Sequence, residues 1–137
     1  MIAKTKLTCA AGIALLLPAV ALGQSDSFKI TDLTPDQAVD IRELVSGEAP
    51  IGVKVWLIVH PLEIDDCWAQ GPSAVSSGGT WRIMGQFGEA GQHSGKPYEI
   101  RAIANPHVAP EAPLKAGLVS CGIEGDLNSD SVDLVRR

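Results

Sequence analysis

Residues 60–71, HPLEIDDCWAQG, gather His60, Glu63, Asp65, Asp66 and Cys67 within eight positions. Imidazole, carboxylate and thiolate are the donors of a zinc site, which needs three or four of them to converge. His60, Asp65 or Asp66, and Cys67 are the candidate metal ligands, and the same cluster is the candidate centre of a small hydrolase. The competing reading is a polar connection between strands. Pro61 stops an apolar run, and Asp favours turns because its carboxylate bonds nearby backbone N–H groups. No C-x-x-C or H-x-x-x-H spacing elsewhere supports a metal. Adjacent Asp65 and Asp66 would point to opposite faces of a strand, which argues against a shared acid–base pair. The expectation is therefore solvated acids, with His60 kept as a candidate partner contact.

Other constellations are weaker. Asp126, Asn128 and Asp130 occupy the first, third and fifth positions of a calcium-type loop. Ser131 stands where that loop needs glycine, and Arg137 where it needs glutamate. An Asx-rich turn is expected, with a weak calcium site as the alternative. The glycine-rich run 88–97 fails as a phosphate loop at Ala90 and at Pro97, which follows Lys96. Ser94 lacks a nucleophile elbow, since Gln92 and Lys96 replace its glycines. His93 and His107 have no nucleophile placed beside them. Trp81 shares a strand face with Ile83 and Phe87 and reads as core. Trp56 and Trp68 are the candidate surface contacts for a ligand or partner.

The elements that must position these residues begin after a leader. Lys4 and Lys6 precede an uncharged stretch from Leu7 to Val20, and small residues follow. This is the pattern of a signal peptide over residues 1–23, with cleavage after Gly23 or Ala21. The apolar run is too short for a bilayer span, which needs roughly 20 residues. Residues 24–137 then form one domain. Removing Lys4 and Lys6 takes the net charge from −5 to −7. An acidic chain without a basic cluster is unsuited to nucleic acid. Without Cys9, two cysteines remain, Cys67 and Cys121, and in an oxidising compartment such a pair reads as a disulfide.

Period-two alternation dominates the domain. FKITDL (28–33), GVKVWLIVH (52–60), TWRIMGQFG (80–88), YEIRAIA (98–104) and SVDLVRR (131–137) read as strands. AVDIRELVSG (38–47) changes phase at Leu44–Val45, which suggests a bulge. The run 52–60 is apolar on both faces, as in a central strand or one covered by another element. CWAQG reads as a short strand ended by Gly71–Pro72. Prolines fragment 105–120, leaving room for a helical turn near 111–118. The spacing predicts an all-β antiparallel sandwich of about seven strands, with an OB-like barrel as the alternative.

GVKVWLIVHP, WAQG, GGTWRIMGQFG, GKPYEIRAIAN and DSVDLVRR together resemble a recurrent Ig-like module of exported bacterial proteins. WAQ stands where that module has an aromatic-Pro-Gln, and Cys67 and Cys121 are additions to it. The resemblance implies an Ig-like sandwich with an irregular or helical crossover before the last strand, and an accessory role. It implies no catalytic residue. The expected protein is thus a periplasmic or secreted, non-enzymatic binding module without a cofactor or a membrane span. Its partner would be an envelope or extracellular protein or glycan. A small metalloprotein or hydrolase built on residues 60–67 is the alternative.

Overall fold

The computed structural model describes residues 27–89, 91 and 94–137. The expected leader and His93 lie outside the described residues. Ten strands and no helix are present among them: β1 (Lys29–Ile30), β2 (Gln37–Val39), β3 (Arg42–Glu48), β4 (Lys54–Pro61), β5 (Cys67–Ala74), β6 (Thr80–Gln86), β7 (Pro97–Pro106), β8 (Gly117–Val119), β9 (Gly125–Asn128) and β10 (Val132–Arg136). No described helix is long and apolar enough to cross a membrane. The strands form a sandwich. One sheet has the order β1-β3-β6, and the other β2-β10-β7-β4-β5-β8, with β9 also paired to β7. Neither closes into a barrel. The surplus of three over seven strands comes from short pieces of three or four residues, β2, β8 and β9.

Strand β4 is central, antiparallel to β5 on one side and β7 on the other. Its two apolar faces enter two different cores. Val55, Leu57 and Val59 face the other sheet and meet Trp81, Ile83, Phe87, Tyr98, Ile100 and Leu134. Trp56 and Ile58 face outward, with Ile103, Cys67 and Ala69, beneath Leu114, Val119, Cys121 and Ile123. The irregular chain after β7 therefore returns as a strap over the outer face. The Cys67–Cys121 disulfide anchors it. Arg101 on β7 adds a second tie, donating to the carbonyls of Cys121 and Ile123. The strap contains β8 and β9 but no helical turn at 111–118.

The phase change near Leu44 is not a bulge. Val39 lies on β2 in the larger sheet and Val45 on β3 in the smaller, and β3 pairs with β6 without interruption from Arg42 to Glu48. The chain changes sheets between them, and each half keeps its own inward set. The irregularity falls on β5 instead. Val55 pairs with Ser73 but Leu57 with Gln70, so β5 carries one extra residue. Gly71–Pro72 sits there, with Gly71 at a φ of 114° that favours glycine. The proline lacks an N–H, and the bulge takes it out of the ladder, so β5 continues to Ala74.

On its other edge β7 is shared end to end. β10 pairs with its first half and β9 with its second. Ser129 bridges the join: its hydroxyl accepts from the Ala102 N–H at 2.8 Å, and its own N–H donates to the Ala102 carbonyl at 2.9 Å.

Candidate functional site

The smaller sheet ends at β6, which is tied to β5 of the larger, and the larger ends one strand on at β8. This step leaves a cleft of about 590 Å³, lined on the larger sheet by Val59, Trp68, Gln70 and Tyr98 and on the smaller by Arg42, Met84 and Gln86. Alternation along β5 decides which side chains reach it. Cys67 and Ala69 enter the outer core, so Trp68 and Gln70 turn to the inner face. Leu118 on β8 is the cross-strand partner of Trp68 and is 65% exposed. Met84 and Ile64, also on the cleft, are exposed as well. Trp68, Leu118, Met84 and Ile64 thus form an apolar border, the kind of surface that marks interaction sites.

Gln70 holds the two sheets together along the cleft. Its Oε1 accepts from the Gln86 N–H at 2.7 Å and its Nε2 donates to the Gln86 carbonyl at 3.1 Å. A side-chain amide so replaces the neighbouring strand that the edge of β6 lacks. Ser73 repeats the device more weakly, its hydroxyl accepting from the Arg82 N–H at 3.4 Å.

Tyr98 lines the cleft from β7 and packs edge-on against Phe87, with ring centroids 5.5 Å apart. It is fully buried, and its hydroxyl is the one buried side-chain polar atom without a hydrogen-bond partner among the described residues. Such a group costs free energy until something pairs with it. Burial pushes the phenol up from its ordinary value, and the positive charge of Arg136 partly offsets this. Arg136 is itself buried and donates to the Phe87 carbonyl at 2.7 Å and the Glu89 carbonyl at 3.3 Å.

Tyr98 is the only tyrosine, so absorbance of the ionised phenol reads it alone. The folded protein is expected to ionise it only above the ordinary value near 10. A guanidinium-unfolded sample should titrate at that value. The fold favours the protonated phenol, so this group's contribution to stability is intact below about 10 and falls as pH rises beyond it. A folded sample titrating at or below the unfolded value would contradict the burial.

The residues singled out by spacing separate into different places. Trp81 is core, its indole donating to the Glu48 carbonyl at 3.2 Å. Trp56 is buried under the strap, beside a shallower hollow lined by Val108, Pro113 and Leu114. His60 is half-buried on the opposite face of the sheet from Trp68. Its Nε2 lies 2.9 Å from the Ile64 carbonyl and its Nδ1 3.8 Å from Glu99 Oε1. Asp65 and Asp66 are exposed, and Glu63 pairs with Lys96 at 3.1 Å. The donors that do converge are His60, Cys67 and Cys121, within 4.8 Å of one another, so Cys121 stands where an aspartate was expected.

Two of the three calcium-type residues are otherwise engaged, and Asp130 is exposed. The Asn128 amide bonds both the N–H and the carbonyl of Gly125, and Asp126 pairs with His107 at 2.8 Å. Asp126 and Asn128 lie on β9 rather than in a ligand loop. Sequence spacing gave no sign of Gln70, Gln86 or Arg42. Tyr98 did carry a signal: an inward-facing tyrosine needs a partner for its hydroxyl.

Comparison with protein-family models, with curated proteins and with solved structures finds no significant match to this chain.

Proposed function

We propose that the chain is an exported, non-enzymatic binding module that takes a protein segment or glycan of the cell envelope or extracellular space into the cleft beside Trp68. The observation that carries this reading is the cleft itself, with its exposed apolar border and, in its lining, Tyr98, whose buried hydroxyl has no partner. An amphipathic ligand suits it: apolar contact covers Trp68 and Leu118, and a polar atom meets the exposed Arg42. The leader-like start, the acidic balance and the disulfide support export to an oxidising compartment. The resemblance to exported Ig-like modules supports an accessory role.

Aromatic residues at such sites carry much of the binding energy. Trp68→Ala is expected to weaken retention of the domain on envelope fractions by roughly 30-fold, equivalent to about 2 kcal/mol. Lys29→Ala, on β1 at the opposite edge of the smaller sheet from β6, is the control and should bind as wild type. Equal retention of the Trp68 variant and wild type, measured by co-sedimentation, would refute the reading.

A further inference from the structure

The disulfide lies outside the cleft, on the outer face of the larger sheet, and a histidine stands over it. His60, Cys67 and Cys121 bring one nitrogen and two sulfur donors within 4.8 Å of one another. They come from three separate segments: the end of β4, the start of β5 and the strap. Donor atoms around a tetrahedral zinc lie roughly 3.5–4 Å apart, so the imidazole needs only a small movement, while the two sulfurs part once their bond is reduced. The Ile64 carbonyl fixes the imidazole from outside the group at 2.9 Å, as metal-binding imidazoles are commonly fixed. Cys67 is buried and Cys121 half-buried, giving a cation one covered side and one open side. The Asp65 carbonyl oxygen lies 3.2 Å from Cys121 Sγ, and no carboxylate joins the set.

We propose that the dithiol form of this chain binds one zinc-class divalent cation through Cys67, Cys121 and His60. Disulfide and metal are then alternative ways of pinning the strap to the sheet. A small-molecule dithiol gives two electrons and two protons to the Cys67–Cys121 bond and leaves as its own disulfide. The two protein thiols release their protons to solvent as the cation forms two metal–sulfur bonds. His60 supplies a neutral imidazole lone pair, and water completes the tetrahedron. Metal then holds the strap in the chain before oxidation or after reduction, and exchange with a small-molecule disulfide, which takes the two electrons and leaves as its dithiol, re-forms the Cys67–Cys121 bond and expels it. This use of the outer face is independent of the cleft and survives failure of the cleft reading.

The test uses the domain reduced with dithiothreitol, desalted without oxygen and titrated with Zn²⁺ and Co²⁺. Reduced wild type should take one equivalent, and its Co²⁺ form should show thiolate-to-metal charge-transfer absorption. The oxidised protein should take none. Reduced His60→Gln should bind at least about tenfold more weakly, the lower end of the cost of disturbing a metal ligand's surroundings. X-ray absorption at the zinc edge of reduced wild type, which needs no variant, should give two sulfurs and an imidazole. Absence of stoichiometric metal in the reduced wild type would overturn the proposal. So would equal affinity in the His60 variant, or a sulfur-bound zinc without imidazole.

Discussion

Replacing Cys67 and Cys121 together by alanine is expected to lower the stability of the domain by about 4 kcal/mol. The bridge spans 54 positions, and its loss frees the unfolded chain to explore a loop of that size. Chain entropy alone gives the figure, and structure kept by the unfolded chain would reduce it. Cys67 is buried in the outer core, so alanine there also gives up some packing. The damage should be uneven. The main core between the sheets makes no use of either sulfur. The strap depends on the bridge, on Arg101, and on Leu114, Val119 and Ile123. Trp56 beneath it should become accessible to a fluorescence quencher in the double variant before global unfolding. Urea denaturation reads the first effect and acrylamide quenching the second. A double variant as stable as wild type, with Trp56 still shielded, would show that packing alone holds the strap.

Trp81→Ala should cost a similar amount, about 3–5 kcal/mol. Trp81 is the largest fully buried side chain, and its indole bonds the Glu48 carbonyl. It faces Gly47 across the β3–β6 ladder, and Gly47 also pairs with Ile30 of β1. The absence of a side chain at Gly47 is what admits the indole. A Cβ there would lie 2.5 Å from Trp81 Cζ2 and would overlap the Lys29 carbonyl oxygen. Gly47→Ala should therefore push β1 off the sheet at a cost of about 1–3 kcal/mol. Trp81→Phe should fall between wild type and Trp81→Ala. The two sites touch, so their effects should not add: Trp81→Ala makes room at position 47, and the double variant should be less unstable than the sum. Additive losses in chemical denaturation would contradict this account of the pair.

Much of the fold was legible because its signals are local. The inward residues of β4, β6 and β7 follow from period-two alternation, and both apolar faces of β4 follow from one nine-residue run. Other features depend on partners distant in sequence. By alternation Ile103 falls on the outward face of β7, where an apolar residue has no local explanation. It belongs to the outer core, whose other half arrives from the strap. The phase change near Leu44 reads identically for a bulge and for a change of sheet, and only the positions of β10 and β6 decide between them. Gly71–Pro72 looked like a strand end because local rules do not show that β4 tolerates an extra residue opposite it.

The candidate site was legible in part, for the same reason. Trp68 announced itself by type, but its place in a cleft follows from how β6 lies against β5. Gln70 is an ordinary polar residue until Gln86, sixteen positions away, presents an unpaired strand edge to it. The acids of residues 63–66 drew notice through their spacing. The geometry leaves them at the surface and gathers His60 with two sulfurs instead.

The three tryptophans allow the cleft to be tested directly, because their indole N–H signals are separable by nitrogen-15 NMR. Trp68 borders the cleft, Trp56 lies under the strap, and Trp81 is bonded inside the core. The titrants are a panel of envelope oligosaccharides and of peptides from exported proteins. With a titrant that binds, the account predicts a saturable shift of the Trp68 indole and the Gln70, Gln86 and Tyr98 amides, with Trp56 and Trp81 unmoved. Saturable binding that moves the Trp56 indole, or leaves Trp68 in place, would contradict the assignment of the cleft as the binding site.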